Sequence, residues 1–69
     1  MYRRIRDLRI DHDLTQEKIA EIIHCSQRVY SNYERGTIDI PTCILIELSN
    51  YYDVSIDYIL GCTDRKERL

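Results

Sequence analysis

The segment TQEKIAEIIHCSQRVYSNYERG, residues 15 to 36, decides the fold of this chain. Its pattern predicts two short helices joined by a tight turn, because Thr15 and Ser26 can each cap the free N–H groups at the start of a helix. Apolar residues recur at helical spacing in the first helix, at Ile19, Ala20, Ile22 and Ile23. One face of that helix must therefore be buried against the rest of the chain.

The second helix divides into an apolar face and a polar face. Its inward positions are Val29, Tyr30 and Tyr33, and the tyrosine hydroxyls are expected to reach the rim of the core. Successive residues are rotated by about 100° around the helix axis, and the polar positions therefore fall within an arc of about 140°. They are Gln27, Arg28, Ser31, Asn32 and Arg35. Amide and guanidinium groups can read base edges in the major groove of DNA, which admits an α-helix.

Several segments together resemble the Cro and phage-repressor (Xre-type) helix-turn-helix family. They are residues 14–20 (LTQEKIA), 26–27 (SQ), 33–36 (YERG) and 54–61 (VSIDYILG), with Arg9 upstream. Agreement in several parts is more specific than a bare pair of helices. The resemblance implies an all-α fold, a compact five-helix bundle of the lambda-repressor-like type. Its DNA-binding domain would span residues 1–61, followed by a charged, loosely ordered tail at residues 62–69.

Periodicity predicts the three helices that flank the motif. The first covers residues 3 to 12, with Ile5 and Leu8 inward. The fourth opens at Pro41 and Thr42, and its apolar residues at helical spacing are Ile44, Leu45, Leu48 and Tyr52. The fifth runs roughly from Ile56 to Leu60, between a Ser55 cap and Gly61. No stretch alternates with period two for long enough to predict a sheet.

The resemblance also implies structural roles for three residues. Arg9 would pair with Glu34 and lock the first helix to the third, although two unrelated surface charges are the alternative. Gly36 would end the recognition helix as a C-terminal cap. Asp13 and His24 stand where the family pattern favours Gly, and both residue types tolerate positive φ better than most.

Seven residues are candidates for contacting DNA. The base-reading candidates are Gln27, Arg28, Ser31 and Asn32, since guanidinium pairs with guanine and the amides suit adenine. The phosphate candidates are Gln16, Ser26 and Arg35, because helix N-termini and short polar groups suit phosphate oxygens. For Arg28, a phosphate contact or a salt bridge remains open as an alternative.

The charge balance is the main argument against DNA binding. The 69 residues include 10 Lys and Arg against 12 Asp and Glu, a net charge of −2, whereas nucleic-acid binders usually carry a basic surface. Residues 1–36 include seven basic and six acidic residues, and residues 37–69 include three basic and six acidic residues. Residues 37–64 contain neither Lys nor Arg. This distribution predicts few phosphate contacts and modest non-specific affinity.

Three cysteines form an odd number with no paired spacing, and we interpret them as reduced thiols of a cytoplasmic protein. Cys25 and Cys43 are expected to be small buried residues. Neither a membrane-spanning run nor a signal peptide is evident. A metal site formed by His12, His24 and these two cysteines is an alternative, but the spacing matches no zinc motif.

The leading hypothesis is a sequence-specific DNA-binding transcriptional regulator, a repressor that binds a palindromic operator in double-stranded DNA as a homodimer. The alternative is an antitoxin-like or anti-repressor interaction module that keeps the fold with weak DNA binding. No catalytic residue set, phosphate-binding glycine loop, cofactor site or small-molecule ligand is evident, so an enzyme is not expected.

Overall fold

The structure is a computed structural model and describes residues 3–67. Five helices and no strand lie within this range: α1 (Arg3–Asp11), α2 (Gln16–Ile22), α3 (Gln27–Arg35), α4 (Thr42–Tyr52) and α5 (Ile56–Leu60). The all-α, five-helix prediction is therefore confirmed. The expected domain and tail also include residues 1, 2, 68 and 69, which lie outside the described residues.

Side-chain hydroxyls cap three of the helices as the sequence predicts. Thr15 accepts a hydrogen bond from the Lys18 N–H at 3.0 Å, and Ser26 accepts one from the Val29 N–H at 3.1 Å. Ser55 does the same at the start of α5. Each bond satisfies a backbone donor that has no partner within its helix. The local sequence therefore fixes where α2, α3 and α5 begin.

Left-handed residues end several of the helices. Gly36 ends α3 with φ of 75°, and this conformation suits glycine because it has no Cβ. Asp13 and His24 adopt φ of 55° and 60° without being glycine, and Asp53 does so after α4. The turn between α2 and α3 thus places the less favourable His24 at a left-handed position. A hydrogen bond from the Cys25 N–H to the Ala20 carbonyl, at 2.9 Å, closes this turn.

All five helices contribute side chains to one hydrophobic core. In the described range its members are Ile5, Leu8, Ile19, Ala20, Ile23, Tyr30, Tyr33, Ile40, Leu45, Leu48, Tyr52, Val54 and Ile59. Through these contacts α2 packs on α3, and α1 packs on both α3 and α5. Burying the apolar side of α3 leaves its polar side facing outward.

Two expectations about core residues are wrong. Cys43 is exposed because it lies on the outer side of α4, whereas Cys25 is half-buried and packs against the core as expected. The Tyr30 side chain is completely buried, and its hydroxyl has no hydrogen-bond partner among residues 3–67 instead of reaching the rim. Burial, followed by the neighbouring carboxylate of Glu34, raises the pKa of Tyr30 well above its ordinary value. Tyr30 is therefore neutral in the folded protein.

The described part of the tail makes several contacts with the helices. Ser55 donates its N–H to the Lys66 carbonyl at 2.9 Å and its hydroxyl to the Arg65 carbonyl. The Arg4 guanidinium donates to the carbonyls of Tyr58 and Thr63 and to a carboxylate oxygen of Asp64. It also stacks over the Tyr58 ring, 4.2 Å from the centroid. Residues 63 to 66 thus lie against α1 and α5.

The longest helix, α4, has 11 residues. Within residues 3–67, therefore, no helix has the length and apolarity needed to cross a bilayer.

Candidate nucleic-acid interface

The first residues of α3 form the most accessible part of its polar face. Gln27 and Arg28 are exposed, and neither side chain has a hydrogen-bond or ion-pair partner in the range that the structure describes. The salt bridge considered for Arg28 is therefore not formed. Ser26, directly before them, keeps its hydroxyl hydrogen available because its oxygen accepts the cap bond from Val29. The start of α3 thus presents several unengaged donors beside a helix N-terminus.

The last turn of α3 has engaged polar side chains. Arg35 is exposed, and its Nη2 donates to Oδ1 of Asn32 at 2.8 Å. Asn32 and Ser31 are half-buried, so their side chains are less accessible than those of Gln27 and Arg28. The four base-reading candidates therefore lie on one helix but differ in how freely they can turn toward a ligand.

The predicted ion pair between Arg9 and Glu34 is present. Nε of Arg9 lies 2.7 Å from Oε2 of Glu34, and Nη2 of Arg9 lies 3.3 Å from Oε1. The two side chains are 15% and 4% exposed, so this is no solvated surface pair. Arg9 also donates from Nη1 to the carbonyl of Leu14 at 2.9 Å. This two-point contact joins α1 to the end of α3 and to the loop before α2.

Charge neutralisation keeps both members of the pair ionised. Burial by itself would raise the pKa of Glu34, but hydrogen bonds from Arg9 and Gln16 lower that pKa below its ordinary value. The pKa of Arg9 is raised, chiefly by its hydrogen bond to Glu34. A buried carboxylate is costly unless paired in this way. The pair therefore supports the position of α3.

Gln16 belongs to the same network, which sequence reasoning missed. Its Nε2 donates to Oε1 of Glu34 at 3.1 Å, and the side chain is half-buried at the start of α2. One amide hydrogen of Gln16 is used by Glu34, which leaves the second for an external acceptor. The side chain is consequently held in one orientation at the edge of the α2 and α3 pair.

Other cations lie on neighbouring elements. Lys18 on α2 is exposed, as are Arg3 and Arg6 on α1. Arg3, Arg6, Asp7 and Glu34 line an open depression between α1 and the end of α3. Because residues 37–64 contain no Lys or Arg, positive charge is confined to the first three helices and the tail. Any favourable field for an anionic partner must come from these segments.

The histidines and cysteines do not converge. No group of three or more His, Cys, Asp or Glu side chains in residues 3–67 is arranged to hold a metal ion. Nδ1 of His12 lies 2.9 Å from the Leu8 carbonyl, and its ring lies 4.9 Å from the Tyr52 ring centroid. His12 therefore packs on the aromatic side chains of α4.

Comparison with protein families shows a match to a model described as helix-turn-helix, over residues 5–59. Among relatives, an uncharacterized HTH-type transcriptional regulator, YobD of Bacillus subtilis, is 46% identical over 61 residues, which cover 88% of this chain and 54% of YobD. The HTH-type transcriptional regulator ImmR of the same organism is 41% identical over 59 residues, 86% of this chain and 46% of ImmR.

A third relative is the cryptic phage CTXphi transcriptional repressor RstR of Vibrio cholerae. It is 38% identical over 53 residues, 77% of this chain and 48% of RstR. The chain thus spans about half the length of the curated relatives it matches. The family match extends from α1 to α5 and includes both helices of the motif. The chain belongs to the helix-turn-helix family.

Proposed function

We propose that this protein is a DNA-binding transcriptional regulator, a repressor that binds a palindromic operator as a homodimer. The observation that carries the proposal is the polar face of α3. Gln27 and Arg28 are exposed and have no hydrogen-bond or ion-pair partner among residues 3–67, on a helix whose opposite side is held in the core by Tyr30 and Tyr33. A rigid helix with unengaged donors suits the major groove.

The base-reading roles follow from the chemistry of these side chains. Arg28 would donate two hydrogen bonds to O6 and N7 of guanine, and Gln27 would pair with adenine through its amide. Ser31 and Asn32, one turn further on, would contact the next bases. All four side chains lie on the outward side of the same helix, so one insertion of α3 brings them to one groove.

The phosphate-binding roles belong to groups around this helix. Ser26 and Gln16 stand at the starts of α3 and α2, where free N–H groups and the helix dipole favour an anion. Arg35 uses one of its five N–H groups for Asn32, so the others can meet a phosphate. Such contacts would fix the protein on the duplex without reading sequence.

A homodimer is proposed because one recognition helix reads few base pairs. Two symmetric copies would read half-sites about 34 Å apart, one turn of the double helix. A small core seldom supplies more than about 3 to 5 kcal/mol of stability, so an interface between two copies would also stabilise the fold. The three unpaired cysteines fit the reducing cytoplasm, where we propose that the repressor acts.

The interaction-module alternative is not favoured, since the relatives described above are named as transcriptional regulators and a repressor. Its support is the net charge of −2 and the absence of Lys and Arg from residues 37–64. We also propose that the protein is not an enzyme.

Selection of binding sites from random DNA tests the proposal. The wild-type chain should enrich a symmetric consensus, and the Gln27→Ala/Arg28→Ala double variant should lose that enrichment while keeping its helical circular dichroism spectrum. Glu47→Gln, an exposed change on α4, is the matched control and should select the wild-type consensus. Binding without sequence preference would contradict the repressor proposal, and no binding at low salt would favour the interaction module.

A further inference from the structure

The hydrogen bond between Arg35 and Asn32 determines which way the Asn32 amide faces. Nη2 of Arg35 lies 2.8 Å from Oδ1 of Asn32. A guanidinium has donors and no acceptor, so it can bond only to the oxygen of the amide. Rotating the amide by half a turn would bring its NH2 group against the guanidinium, with two donors facing each other. The chemistry therefore fixes the oxygen toward Arg35 and the nitrogen away from it.

The backbone beneath this side chain is held in place as well. The carbonyl of Asn32 accepts hydrogen bonds from the N–H groups of Gly36 and Thr37, the latter at 3.1 Å, and from the Thr37 hydroxyl. Tyr33 and Glu34, the next two residues, are buried. With the helix end closed and the flanking side chains fixed, the amide cannot reorient by a movement of the backbone. In the free protein the amide is therefore held with Oδ1 toward Arg35.

This orientation leaves a donor as the unengaged group. Nδ2 of Asn32 has no partner among the residues that the structure describes, so both of its hydrogens are available. Adenine recognition by an asparagine requires Oδ1 to accept from the adenine amino group while Nδ2 donates to N7. Here Oδ1 already accepts from Arg35, and the positive charge beside it opposes the approach of a second donor.

We propose that Arg35 is a positioning residue for base readout, and that it makes Asn32 a hydrogen-bond donor that selects guanine or thymine rather than adenine. The inference rests on the proposed function and names the base class read by one position of α3. Guanine offers O6 and N7 as acceptors, and thymine offers O4. Arg35 acts through Asn32, and the N–H groups that it does not use for Asn32 would be available to a phosphate, so one side chain would serve both anchoring and base readout.

Selection from random DNA with the wild type and four variants tests this proposal. The wild type should enrich guanine or thymine at one symmetric pair of positions, and Asn32→Ala should erase the preference at that pair alone. Arg35→Met keeps the aliphatic stem but removes the donor, which frees Oδ1 of Asn32. The enrichment of adenine at the same pair of positions should then rise by roughly tenfold relative to wild type, since a good two-bond contact discriminates between bases by that order.

Asn32→Asp provides a third, independent variant. Its carboxylate keeps the bond to Arg35 but turns the outward group into an acceptor, so the preference should move to cytosine, whose N4 is a donor. Arg6→Met is the matched control, because it removes an exposed arginine of α1 that has no proposed contact with a base, and it should leave the base preferences unchanged. Thermal melting of every variant checks that each chain is folded.

Three outcomes would overturn the inference. A wild-type adenine preference that disappears in Asn32→Ala would show that Asn32 uses both amide atoms. A uniform loss of affinity in Arg35→Met, with unchanged base preferences, would make Arg35 a phosphate contact only. If the wild type enriches no sequence at all, both the proposed function and this inference are wrong. If it enriches a symmetric consensus and either of the first two results is found, only this inference is wrong.

Discussion

The two ends of α3 hold polar side chains of similar chemistry in different states. At the first turn, Gln27 and Arg28 are exposed and without partners in the described range, whereas at the last turn Asn32, Glu34 and Arg35 are engaged in hydrogen bonds or ion pairs. An unengaged side chain loses rotamer freedom when it binds, but an engaged one has already lost that freedom on folding. The first turn is thus adaptable, and the last turn is pre-organised.

The difference has its origin in the packing of α1. Arg9 reaches the last turn of α3 and pairs with Glu34, while no residue of another element, among residues 3–67, makes a hydrogen bond or an ion pair with the side chain of Gln27 or Arg28. Stability should therefore depend on the last turn and specificity of binding chiefly on the first. The following experiments separate the two, from the largest expected effect to the smallest.

Glu34→Ala should have the largest effect, a loss of about 3 kcal/mol in the free energy of unfolding, because it leaves Arg9 charged, poorly solvated and unpaired. Chemical denaturation followed by circular dichroism measures this loss. Glu21→Ala, an exposed glutamate on α2, is the control and should change stability by less than about 0.5 kcal/mol. Equal stabilities of the two variants would mean that the pair does not hold α1 to α3.

Arg28→Ala should cost about 1 to 3 kcal/mol of binding free energy on the selected site and leave the stability of the fold unchanged. The loss should fall on one symmetric pair of base positions, since the side chain has no hydrogen-bond or ion-pair partner in the described part of the chain. Fluorescence anisotropy on the consensus and on single-base variants measures it. A loss that is uniform over all sequences would identify Arg28 as a backbone contact and transfer base reading to Gln27 and Asn32.

Acidification should reduce the stability that the Glu34 carboxylate gives to the last turn of α3. The pKa of Glu34 is lower in the folded protein than its unfolded value of about 4.3, so its stabilising contribution is complete above that value and is lost as pH falls through the folded pKa. Denaturation of wild type and Glu34→Gln between pH 7 and pH 3 should show their stability difference narrowing at the acid end. A difference that stays constant or widens would contradict this ionisation.

The smallest effect concerns salt. If Arg35 contacts a phosphate, Arg35→Ala should reduce the slope of log affinity against log salt by about 0.9 per subunit, whereas Arg28→Ala should leave the slope nearly unchanged. The wild-type slope should be shallower than about −10 per dimer, because few cations lie outside α1 to α3. Anisotropy titrations at several salt concentrations measure these slopes. If Arg28→Ala reduces the salt slope and Arg35→Ala does not, Arg28 contacts the phosphate and Arg35 does not.

Much of the fold follows from local sequence. The starts of α2, α3 and α5 are set by hydroxyl caps that act over three residues, and left-handed turns occur at Asp13 and His24 as expected. The bond between Asn32 and Arg35 also has local spacing, since residues three apart on a helix are neighbours. It was missed because several polar residues on that face offered equally good partners. The DNA-contacting roles of these residues stay predictions.

The sequence by itself determined the five helices, their caps and the outward position of Gln27 and Arg28, because each depends on interactions within about one turn of helix or on helical periodicity. Only the tertiary structure decided that Gln16 joins Glu34, that Cys43 faces solvent and that Arg4 holds the tail. The contacts of Gln16 and Arg4 join residues far apart in sequence, and the exposure of Cys43 depends on which side of α4 is packed. Whether such groups meet depends on how the helices pack, which no spacing along the chain can specify.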